Sequence, residues 1–226
     1  MRLPAASAQT AHRLRYSRYT ARRLRRAKLP DDEAEVKAKA ADLKAAVAAE
    51  AEAEEALQDA LADRDAADDD LDDVAKRHRR SIEGRGTNAN RERPYIDLYA
   101  EGIEYFTSAP IEEQDVRYRL LVKRYGEHLP DGDPVRAEAG LITAGLATWS
   151  EAKKAIDDAE IAAALAGAKT QRATEAWATS LTRLYHRLAE RFGRATAERF
   201  FPRGRRAGQK DGGDDGGGGG SGGTPT

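Results

Sequence analysis

The chain reads as an all-α protein: an elongated antiparallel hairpin of two long helices, an Ala-rich coiled coil, with two shorter helices between them. A seven-residue ladder predicts the second long helix, through Val135, Ile142, Trp149, Ile156, Ala163, Thr170, Trp177 and Leu184. A row three positions on is nearly all small, Gly145, Ala152, Ala159, Ala166, Ala173 and Ser180. Such rows mark a helix packed closely along a partner. The partner lies upstream, where Leu43, Glu50, Leu57, Arg64, Leu71 and His78 repeat at seven, with Ala46, Ala53, Ala60, Ala67 and Val74 three residues later. Small residues at a seam allow the axes to approach to roughly 8 Å. Glu50 and Arg64 are expected on the flank, reaching into water.

Residues 1–30 carry nine Arg or Lys and no acid. They form a basic N-terminal arm, flexible or an amphipathic helix, with Leu14, Tyr16, Thr20, Ala21 and Leu24 on one side and arginines on the other. Pro30 and Asp31 close the arm, and Asp31, Asp32, Glu33 and Glu35 suit the start of a helix through capping and the helix dipole. The helical domain spans 31–200, and its first long helix is expected over 32–83. Gly84, Gly86, Thr87, Asn88, Ala89 and Asn90 then stop it. Two short helices are expected at 93–107 and 111–127, separated by Ser108, Ala109 and Pro110, with Ile96, Leu98, Ile103, Val116, Leu120 and Leu121 as the apolar positions of a compact lobe. In the turn from Leu129 to Pro134, Asp133 is a good cap and Pro134 suits the first helical position. The second long helix runs over 134–199, roughly 65 residues or about 100 Å, with Gly167 its weakest point. A Gly-rich tail without structure follows over 201–226.

Composition narrows the chemistry. Apolar residues make up 40% of the 226 and charged residues 34%, with a net charge of −1, a balance that suits long, solvated helices. With no cysteine there is no disulfide, thiol nucleophile or Cys-ligated metal site. No apolar run approaches the roughly 20 residues that span a bilayer, and the N-terminus lacks the apolar segment of a secretory signal. The expected location is cytoplasmic.

Candidate sites are few. Glu50 to Asp73 holds twelve Asp or Glu against Arg64 alone, and Asp69, Asp70 and Asp73 have the DDxxD spacing that holds Mg²⁺ for a diphosphate in isoprenoid enzymes. No second aspartate-rich motif faces it, since Asp157, Asp158 and Glu160 are spaced differently, and a solvated acidic face is the simpler reading. That face could also attract the basic arm or the cluster Lys76, Arg77, Arg79 and Arg80. His12, His78, His128 and His186 are scattered and form no metal-binding set. No phosphate-binding glycine loop or nucleophile elbow is present. The expected function is a non-enzymatic structural or protein-interaction module without cofactor or metal. Its interface would be Ile142, Trp149, Ile156, Trp177 and Leu184, a bulky edge completed by a second copy into a four-helix bundle or by another helical protein.

The alternative is nucleic-acid or anionic-membrane binding through residues 11–28. Arg13, Arg15, Arg18, Arg22, Arg23, Arg25 and Arg26 would contact phosphates beside Tyr16 and Tyr19. The same Arg-rich, acid-free composition is shared by import presequences.

Overall fold

A computed structural model describes residues 1, 3–5 and 8–202. The Gly-rich tail, from residue 203 on, lies outside the described residues. Every regular element among the described residues is helical. They are α1 (Thr10–Arg26), α2 (Pro30–Glu83), α3 (Tyr95–Leu98), α4 (Glu104–Thr107), α5 (Gln114–His128), α6 (Pro134–Ala137), α7 (Ala139–Phe192) and α8 (Arg194–Ala197), with short 3-10 turns at Ala89–Arg91 and Glu198–Phe200. The chain divides into two compact units, Met1–Asp42 with Glu175–Thr226, and Leu43–Thr174. The long helices α2 and α7 each contribute one end to the first unit and the rest to the second.

In the first unit, α1 is a docked helix. Tyr16, Ser17, Thr20, Ala21 and Leu24 form its buried face, with Trp177 of α7 against Tyr16 and Ser17. The Tyr16 ring meets Trp177 edge-on, with centroids 6.1 Å apart, and lies 6.3 Å from Phe201. α1 ends at Lys28, whose backbone is left-handed (φ 59°). The Lys28 N–H donates to the Arg25 carbonyl at 3.0 Å and the Leu29 N–H to the Leu24 carbonyl at 3.1 Å. This is a Schellman closure, with lysine where glycine is usual, and it tucks the buried Leu29 under the turn.

Two expectations change in this unit. The second long helix does not reach 199: Gly193 adopts φ 80°, a conformation that costs glycine little, and α8 follows in a new direction. Phe201, assigned to the tail, is 1% exposed, because that change of direction brings it back onto Tyr16 and Tyr185.

In the second unit, a core rich in tyrosine joins the C-terminal end of α2, the segment 95–129 and the start of α7. Leu71, Ala75 and Ile82 pack with Leu98, Tyr99, Phe106, Tyr118, Leu121, Tyr125, Ile142 and Leu146. The buried hydroxyls are paired. Tyr99 and Tyr125 share a 2.9 Å hydrogen bond and Tyr118 donates to Asp72 at 2.5 Å. Burial pushes the Tyr99 hydroxyl up to about 12 and those of Tyr118 and Tyr125 higher still.

Arginines fasten the loops of this unit. Arg85 makes a bidentate pair with Asp133 at 2.6 and 2.8 Å, while Asp133 caps Val135 N–H at 2.9 Å. Arg85 therefore holds the Asp133 carboxyl below its ordinary range. Arg124 pairs with Glu101 and donates to the Leu98 carbonyl.

The expected helix over 93–107 is instead two single turns, α3 and α4, separated at Gly102 (φ 85°). Ile96 and Val116, assigned to the lobe's core, are exposed: the break stops one α-helical phase running through 93–107, and Val116 lies on the side of α5 opposite buried Tyr118, Leu121 and Tyr125. Residues 134–192 are likewise two helices, because Glu138 is a turn between α6 and α7. Gly167, the predicted weak point, lies within unbroken α7. A Cβ there would come 3.3 Å from Glu50 Oε1, and one on Gly145 would come 3.0 Å from Leu71 Cδ1. Those two glycines are where α2 side chains press on the α7 backbone.

Candidate functional site

The interface proposed from sequence is not on the surface. Ile142, Trp149, Ile156, Trp177 and Leu184 are all buried within the chain itself, between 0% and 8% exposed. Rows three residues apart are only about 60° apart on a helix, well within a buried stripe of about 100° or more. Both rows of the ladder consequently face inward, as Ala166 and Ser180 of the small row also show. Trp177 donates its indole N–H to Ser17 Oγ at 2.7 Å, and Ser17 donates to the Arg13 carbonyl at 3.1 Å. Trp149 lies under Lys153, whose Nζ is 5.5 Å from the ring centre.

What α7 exposes is the side the ladder omits. Ile161 is 69% and Leu165 54% exposed. The signal was present in the sequence, since both positions fall nearly opposite the two rows at 100° per residue.

The seven arginines of the basic arm divide into two sets. Arg13 is 8% exposed and lies on the docked side of α1. Arg23 donates Nε to the Arg199 carbonyl at 3.0 Å. Arg25 holds Glu33 at 2.7 Å, and Lys37 reaches the same carboxylate; these two partners, Arg25 first, hold the Glu33 carboxyl at about 2. None of those three is available to a ligand without giving up a contact or a buried position.

Arg15, Arg18, Arg22 and Arg26 are different. All four are exposed and make no hydrogen bond or ion pair with a described residue. Spacings of three, four and four place them in one stripe along α1. Tyr19, 42% exposed, lies beside the stripe, whereas Tyr16, its proposed companion, is buried and burial raises its hydroxyl to about 12.

The acid-rich stretch also separates into used and unused carboxylates. Asp68 accepts from Gln114, and Asp72 accepts from Tyr118 and pairs with Lys76 at 3.0 Å. Asp69, Asp70 and Asp73, the DDxxD set, are exposed. No group of three or more His, Asp or Glu among the described residues is placed to hold a metal ion. Asp31, read as a helix cap, is exposed, and α2 starts one residue earlier at Pro30. Its neighbours Asp32 and Glu35 instead take Arg187 at 2.9 and 2.5 Å.

One open cavity of about 780 Å³ lies against His78, with Arg77, Ser81, Glu138 and Gly140 in its wall. His78 is 1% exposed and stacks edge-on with Tyr125 at 5.6 Å. Burial lowers its pKa, favouring the neutral imidazole, although Glu138 opposes the shift. Its Nε2 is 3.4 Å from the Glu138 carboxylate but without hydrogen-bonding geometry. This is a histidine held by packing.

No family model, no curated protein and no solved structure matches the chain. No helix among the described residues is long and apolar enough to cross a membrane.

Proposed function

We propose that the protein is a non-enzymatic helical interaction module. In this reading α2 and α7 pair as an antiparallel, Ala-rich coiled-coil hairpin, and the uncovered side of α7 docks a second copy of the chain to complete a four-helix bundle. The close approaches of Leu71 to Gly145 and of Glu50 to Gly167 run in opposite directions along the two helices, which supports the antiparallel pairing.

The observation that carries the docking is the exposed Ile161 and Leu165 pair. Two large aliphatic side chains one turn apart on the exposed side of an Ala-rich helix form a seed for helix-on-helix packing. Exposed Lys154, Lys169 and Arg172 share that side of α7 with exposed Glu151, Asp157 and Asp158. A surface carrying both signs can match itself in a reversed second copy.

Sedimentation equilibrium over a range of protein concentrations tests this. Wild type is expected to self-associate, and Ile161→Glu with Leu165→Glu to remain monomeric with unchanged helix content. A wild-type protein that stays a strict monomer at the highest concentrations would remove the reading.

A further inference from the structure

The stripe of α1 points to a second binding surface, independent of the α7 face. Four guanidinium groups, Arg15, Arg18, Arg22 and Arg26, stand exposed on a helix whose other side is fixed by Trp177 and Phe201. Their first and last members are eleven residues apart, about 16 Å along the axis. Among the described residues, the unit that carries them holds 15 Lys or Arg against 8 Asp or Glu, so the surrounding field favours an anion. The four arginines take up none of the acids of their own unit among the described residues. Repeated cations along a rigid rod match a repeated anion.

Two polyanions present themselves, a phosphodiester backbone and an anionic bilayer, and the docking of α1 decides between them. A helix that lies in a membrane surface does so by burying its apolar face in the acyl boundary. The apolar face of α1 is already spent inside the unit, with Leu24 at 0%, Tyr16 at 4% and Ala21 at 6% exposure. Only the charged side remains outward. Single strands are usually held by several aromatic rings stacking on successive bases, and here Tyr19 is the one exposed tyrosine of the helix, which has no Trp or Phe. A duplex needs no such platform, because phosphate contacts from exposed arginines suffice for sequence-independent binding.

We propose that Arg15, Arg18, Arg22 and Arg26 bind the phosphate backbone of a nucleic-acid duplex without reading its sequence. Each guanidinium donates to phosphate oxygens and releases condensed counterions, so affinity falls as salt rises.

The test measures binding of the full chain to a short labelled DNA duplex of arbitrary sequence, and to a matching RNA duplex, from about 50 to 200 mM salt. Relative to wild type, Arg18→Gln with Arg22→Gln is expected to flatten the log–log salt dependence by about 1.8, equivalent to a loss across that range about 12-fold smaller. Arg18→Lys with Arg22→Lys restores the slope, because the charge count is kept. Circular dichroism of both variants is expected to match wild type, as the replaced side chains touch no described partner. Equal binding to the DNA and RNA duplexes supports a backbone contact. The proposal is overturned if wild type binds neither duplex at the lowest salt, if the Gln variant keeps the wild-type slope, or if phosphatidylserine vesicles, and not duplexes, are bound through these arginines.

Discussion

The two units solve the same packing problem with opposite surface chemistry. Among the described residues the first holds 15 basic and 8 acidic, the second 18 basic and 28 acidic, so a chain with a net charge of −1 is strongly polarised. Their cores differ as well. The first is closed by Trp177, Phe201 and Leu side chains, with Trp177 donating to Ser17. The second is built on tyrosines whose hydroxyls pair with each other or with Asp72. In the first unit Arg25 and Arg187 are paired with acids, while Arg15, Arg18, Arg22 and Arg26 stay outside without a described partner. A core of tyrosines draws acids and arginines into its hydrogen bonds, so many of the second unit's charges are already committed.

The strongest test of that contrast is Trp177→Ala. Removing this ring leaves a cavity under α1 and strands Ser17, and is expected to cost about 3–5 kcal/mol. Trp149, in the second unit, then serves as the only indole. Protease cleavage within α1 is expected to accelerate while the thermal transition reported by Trp149 fluorescence moves far less. Equal shifts in both readouts would show the units to be one cooperative block.

A smaller effect separates the units by pH. Burial holds the pKa of His78 below its ordinary value, against the pull of Glu138. A histidine with a depressed folded pKa stabilises the folded state above its unfolded pKa of about 6.5, and that stability is lost as pH falls toward the folded value. The Trp149-reported midpoint is therefore expected to drop as pH is lowered from about 7.5 to about 5.5. His78→Leu should flatten that decline, and an undiminished decline in the variant would assign the acid sensitivity to other groups. The neighbours that set the field are Arg77 beside it, Glu138 across from it and Tyr125 against its ring.

The smallest effect belongs to the first unit alone. Lys28 occupies a left-handed position that disfavours side chains, so Lys28→Gly is expected to raise the stability of the α1 junction by up to about 1 kcal/mol. Differential hydrogen exchange at Leu29 would register it. Slower exchange there without change at Leu121 is the expected result, and faster exchange would mean that the lysine stem contributes more than the strain removes.

Much of the architecture was legible because it depends on local rules. Seven-residue periodicity predicted two long helices, the glycines from Gly84 marked the end of one, and the cap at Asp133 with Pro134 marked a new start. The candidate site was half legible. The sequence pointed to seven arginines on α1, and the structure divides them: three are buried or bonded, four are exposed. No periodicity rule could make that division, since it depends on Glu33 and the Arg199 carbonyl, residues 8 and 176 positions away from their arginines.

What sequence alone determined about this protein is its helical class and the phase of its heptads, because backbone propensity and a 3.6-residue turn act over neighbouring residues. Which rows face inward, the docking of α1, the return of Phe201 and the burial of Ile142, Trp149, Ile156, Trp177 and Leu184 were decided only by tertiary structure. Burial is a property of what surrounds a side chain, and the surrounding groups come from distant parts of the chain.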